Sequence, residues 1–90
     1  MSLYALSWSF DQKVKSQSAK LVLLALCDGV GTGNTVFASL PVLTRKTSMS
    51  RVKVLQGLRY LERRGFILSG GRDAVRMCRV YMVNDGKEAA

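Results

Sequence analysis

The stretch SLPVLTRKTSMSRVKVLQGLRYLERRG, Ser39 to Gly65, decides how the rest of the chain is read. It reads as two helices on either side of a tight turn. Ser39 is placed to N-cap the first helix, whose opening turn tolerates Pro41, and Leu40, Val42 and Leu43 supply its apolar side. Thr47, Ser48 and Met49 then interrupt the helical pattern, and Ser50 is placed to cap the second helix. In that second helix Val54, Leu58 and Leu61 recur at spacings of four and three. They gather on one stripe, with Gly57 and Gly65 close by. Gly57 stands where a small Ala-like residue is expected, and Gly within a helix costs about 1 kcal/mol relative to Ala. Close approach of another helix is the reason the reading supplies.

At about 100° per residue, Val52, Gln56, Arg59 and Arg63 lie on the side away from the apolar stripe. Lys53 and Tyr60 flank them, and Arg51 projects from the first turn. Leu55, at the edge, is assigned to the core. The exposed face is therefore basic, with one amide and one aromatic among the charges. A positive face that begins at a helix N-terminus behind a short turn suits nucleic acid: its charges meet phosphates while its first turns reach base edges.

On these residues, Ser39 to Ile67 resembles the helix-turn-helix of winged-helix DNA-binding domains. Leu6-Ser7-Trp8 and the run Ser18 to Leu26 (SAKLVLLAL) fit the same family. Together they are similar to the module of phage, plasmid and mobile-element replication proteins, over roughly Leu6 to Val83. The resemblance implies an α+β fold: a three-helix core, a small antiparallel sheet and one β-hairpin wing. It further implies an origin-recognition domain of a replication initiator, with replication proteins of the host or element as further partners. A dimeric transcription regulator on an inverted repeat shares the same physics. A protein-interaction module, using an apolar N-terminal arm, is the third reading.

Charge placement agrees with a polyanionic partner. Arg45 to Arg79 hold ten basic residues against two acidic ones, which is the whole of the net +8, and the remainder balances. Ninety residues at 48% hydrophobic make one modest core. No apolar run is long enough for a bilayer, and the N-terminus lacks the order of a signal peptide, so a cytoplasmic location is expected. The chain has no histidine and only six carboxylates, and no serine or cysteine has an activating base at a motif spacing. It therefore reads as neither an enzyme nor a metal or cofactor protein. Cys27 and Cys78 read as two buried free thiols, with a disulfide as the alternative.

Residues 1–14, with Leu3, Leu6, Trp8 and Phe10, read as an N-terminal arm docked on the core or placed at a dimer interface. Residues 15–83 form the domain. Ser16 or Ser18 caps a helix running to Cys27, and Asp28 to Asn34 is a loop whose glycines do not make a phosphate loop, because no strand precedes them. Thr35 to Ala38 suits a small strand that pairs with the hairpin. Phe66 to Ser69 reads as a strand, Gly70 to Asp73 as its turn, and Ala74 to Val83 as the return strand. Residues 84–90 read as a polar tail or linker.

The candidate DNA contacts are Arg45, Lys46, Ser50, Arg51, Val52, Lys53, Gln56, Arg59, Tyr60, Arg63, Arg72 and Arg76. Thr44, Arg45 and Lys46 belong where the first helix crosses a backbone. Gln56 suits an adenine edge, and the basic residues suit guanine or phosphate. Val52 either touches a thymine methyl or fills space beside the turn. Tyr60 either bonds a phosphate or packs on a neighbour. Arg63 and Arg64, late in the helix, equally suit the helix dipole. Glu62 offsets the arginines around it, and Arg72, Arg76 and Arg79 suit phosphate or minor-groove contact from the hairpin.

Overall fold

A computed structural model describes residues 3–31, 34–73 and 78–84. The elements run α1 (Leu3–Asp11), α2 (Gln17–Asp28), β1 (Thr35–Ala38), α3 (Leu40–Thr47), α4 (Arg51–Arg63), β2 (Ile67–Asp73) and β3 (Cys78–Val83). Four helices and a three-stranded antiparallel sheet of order β1-β3-β2 make an α+β winged helix-turn-helix arrangement. No helix among the described residues is long and apolar enough to cross a membrane.

The core forms around α2. Ala19, Val22, Leu23, Leu26 and Cys27 are fully buried, as expected of a helix apolar almost all round. Ser16 caps it, its hydroxyl accepting from the Ala19 N–H at 3.2 Å. Helix α4 crosses α2 at Gly57, and Val54, Leu58 and Leu61 complete the buried stripe. Helix α3 adds Leu43 and Thr47, whose hydroxyl donates to the Leu43 carbonyl at 2.7 Å. Each short helix of the motif begins on a serine: Ser39 accepts from Val42 N–H and Ser50 from Lys53 N–H, both at 3.3 Å. Between them Ser48 takes the left-handed conformation, φ +57°, and turns the chain sharply. Helix α4 ends in a Schellman motif. Gly65 has φ +80°, the Phe66 N–H donates to Leu61 O at 2.9 Å, and the Gly65 N–H donates to Glu62 O at 3.1 Å. That reversal aims Phe66 at Trp8, edge to face with centroids 6.3 Å apart.

Strand β3 pairs with β1 and β2 on its two sides, in the register Val36↔Tyr81 and Ile67↔Val83. Val36, Ala38, Ile67, Tyr81 and Val83 face the helices and are buried. Phe37, Leu68 and Met82 alternate onto the outer face and are exposed.

Three sequence expectations need correction. The N-terminal arm is a helix. Its buried positions are Ala5 and Ser9, so the side that seats on α2 is the one with small residues, while Leu3 and Phe10 point outward. Leu6 and Trp8 pack against the core, so the arm docks as expected through two of its four large apolar residues. Second, Gly70 to Asp73 is not the hairpin turn but part of β2, which pairs with β3 out to Asp73↔Cys78. The two glycines mark a β-bulge, where the register shifts between Ser69 and Arg72 and Gly71 adopts φ +94°. The connection from β2 to β3, including Arg76, lies outside the described residues. Third, Cys27 and Cys78 are not joined in a disulfide, and of the two only Cys27 is buried, Cys78 being half-buried.

The α2–α4 crossing is testable. A Cβ placed on Gly57 would lie 2.9 Å from Val22 Cγ2 and 3.3 Å from Ala19 Cα. Valine is stiff at χ1 and a backbone carbon does not yield, so overpacking of about 1–3 kcal/mol outweighs the roughly 1 kcal/mol gained in helix propensity. Gly57→Ala is expected to lower the melting temperature by several degrees in a thermal denaturation; a rise would overturn the close-packing account.

Candidate nucleic-acid interface

Burial of Val54, Gly57, Leu58 and Leu61 fixes the rotation of α4 and turns its opposite side to solvent. Val52, Gln56, Arg59 and Arg63 occupy the centre of that exposed side. Val52 is 63% exposed, so it does not fill space beside the turn. One flank carries Arg51, Leu55 and Glu62, and the other carries Lys53, Tyr60 and Arg64.

The first flank forms one wall of a cleft of about 510 Å³ between α4 and the hairpin. Arg51 and Arg59 line it from the helix, and Arg72 and Arg79 from the sheet, with Leu43, Leu58 and Tyr81 on its floor. Arg72 and Arg79 are direct cross-strand partners. Like charges in that position destabilise a sheet, so an anionic partner suits the pair. Leu55, assigned to the core by its edge position, is 40% exposed and lines this cleft instead. It sits off the centre of the buried stripe.

The other candidates are placed as follows. Arg45 is exposed on the last turn of α3, while Lys46 pairs with Asp28 at 3.0 Å. That pair is solvent-exposed and contributes at most about 1 kcal/mol, leaving the lysine available for exchange. The Ser50 hydroxyl is committed to capping, and Lys53 is exposed. Tyr60 is half-buried, and its hydroxyl accepts from the Lys15 N–H at 3.2 Å while the Arg64 guanidinium lies 5.5 Å from its ring centroid. Packing on neighbours is thus the role the structure gives Tyr60, although its hydroxyl proton stays free to donate. The contact brings Lys15 beside α4. No sequence pattern signals this, because the partners stand 45 positions apart.

A family model described as a helix-turn-helix domain matches residues 15–67, which covers α2 through α4. No curated protein and no solved structure shows significant similarity to the chain.

Tyr81 carries the clearest electrostatic signature of the cleft. Burial raises the pKa of its phenol above the ordinary value, the Arg79 charge opposes that rise, and Glu62 adds to it. The folded chain therefore holds this proton more tightly than the unfolded one. The associated stability is complete below the unfolded phenol pKa of about 10 and is lost as pH climbs above it. Tyr81→Phe is expected to flatten the alkaline fall in stability relative to the natural chain, measured by denaturant titrations between neutral pH and pH of about 11. Parallel alkaline limbs for the two chains would contradict the assignment.

Proposed function

The chain belongs to the helix-turn-helix domain family, and on that premise we propose that it binds duplex DNA sequence-specifically. The observation that carries the reading is the orientation of α4. Its buried stripe turns Val52, Gln56, Arg59 and Arg63 outward, and Arg51, Arg72 and Arg79 gather on one side. An α-helix about 10–12 Å across fits a major groove about 12 Å wide. Seated there, Gln56 meets an adenine edge, Val52 meets a thymine methyl, and Arg51, Lys53 and Arg59 meet guanines or phosphates. The hairpin arginines hold the adjacent backbone. Arg45, at the end of α3, contacts the phosphates that the first helix of the motif crosses. The role is binding without catalysis or cofactor, in the cytoplasm.

Within that role the chain acts as the origin-recognition domain of a replication initiator of a phage, plasmid or mobile element, in company with replication proteins. The resemblance of roughly Leu6 to Val83 to such modules supports this. A dimeric transcription regulator is the second reading, and Leu3 and Phe10 on the outward side of α1 favour it, since they offer an apolar surface to a second copy. Selection of bound sequences from a random duplex pool separates the two. Tandem direct repeats support the initiator, and a single palindrome supports the dimer.

Base reading and backbone holding also separate. Gln56→Ala is expected to lose about 1–3 kcal/mol of discrimination at one base pair while leaving the other positions unchanged. Arg72→Gln is expected to weaken binding equally on selected and scrambled duplexes. Equilibrium titrations of both variants on single-base-changed duplexes check this. A uniform loss for Gln56→Ala would remove its base-reading role.

A further inference from the structure

We propose that the loop between α1 and α2, through Lys15, is a second phosphate-contacting surface, placed on the side of α4 away from the hairpin. The inference rests on the DNA-binding reading above and deepens it.

Lys20 does not point to solvent as a surface lysine would. Its ammonium donates to Ser9 O at 2.7 Å, Phe10 O at 2.9 Å and Gln12 O at 2.7 Å. It thereby satisfies carbonyls at the C-terminus of α1 and pins the beginning of the loop. The end of the loop is pinned by the Lys15 N–H on the Tyr60 hydroxyl and by Ser16 as the cap of α2. The Lys15 side chain is exposed, whereas Lys13 lies with Gln17, Lys20 and Leu21 over the outer face of α2. A lysine on a loop tied at both ends meets a ligand with little backbone entropy left to lose.

Position supplies the second half of the argument. Tyr60 lies on the flank of α4 opposite Arg51 and Leu55, so Lys15 stands across the helix from the arginine cleft. Lys53 and Arg64 share that flank and are exposed. Helix α4 is thus bordered by cations on both sides: Arg72 and Arg79 along one, and Lys15, Lys53 and Arg64 along the other. A major groove is likewise bordered on both sides by a phosphate backbone, one from each strand. The hairpin faces one strand and the loop faces the other. Contacts of this kind orient the helix and carry no sequence information.

The test is the salt dependence of duplex binding by the full chain with Lys15→Gln. Each neutralised phosphate contributes about 0.9 to the slope of log affinity against log salt, so the variant is expected to lose about 0.9. Its deficit against the natural chain then shrinks roughly three- to fourfold between about 50 and 200 mM salt. The loss is expected to be equal on the selected duplex and on a scrambled one. An unchanged slope, in a variant whose melting curve matches the natural chain, overturns the proposal while leaving DNA binding intact. A loss confined to the selected duplex also overturns it, because Lys15 would then read bases. If the natural chain gives no saturable binding to any duplex, the DNA reading itself fails, and the loop proposal with it.

Discussion

The approach of α4 to α2 at Gly57 is the constraint on which the other features depend. With no side chain at that position, Ala19 and Val22 come within van der Waals reach of the α4 backbone. Val54, Leu58 and Leu61 then seat fully, and the rotation of α4 about its own axis is set. Every statement about which residues face outward follows from that rotation. A helix rolled by one residue, about 100°, would bring Arg51 toward the core and put Leu58 at the edge. Interiors packed as densely as crystals do not permit such a roll without cavities and clashes.

Electrostatics builds on this geometry. The chain concentrates its positive charge where burial cannot reach it, on the exposed side of α4 and on the strands beside it. Few carboxylates compensate: Asp28 pairs with Lys46, and Glu62 faces the arginine cleft. Cross-strand pairing of Arg72 with Arg79 adds like-charge repulsion that a structural role would not explain. Such clustering is tolerable because the side chains are hydrated, and it becomes favourable when phosphates replace water and release their counterions.

The helix-turn-helix was legible because it is local. Serine caps, a proline in a first turn and a four-three apolar spacing are all read within a dozen residues of one another. The same holds for Thr35 to Ala38, where β-branched and aromatic residues mark a strand. Two local readings failed for stated reasons. Gly70-Gly71 supports a turn and a bulge equally well, and only the pairing of Asp73 with Cys78 decides between them. Helix α1 seats Leu6 and Trp8 on the core but turns Leu3 and Phe10 away, a division that the apolar pattern does not make.

By itself, then, the sequence determined the order of elements from α2 onward, the basic character of α4 and the identity of its buried stripe. These follow from backbone propensity and periodicity, which act over one or two turns. The tertiary structure alone decided that Leu55 stays uncovered, that Arg51 and Arg59 share a cleft with Arg72 and Arg79, and that Tyr60 serves as an anchor for Lys15. Each of these is a contact, or a missing contact, between segments far apart in the chain. Its existence depends on how closely packed elements approach, and no spacing along the sequence encodes that distance.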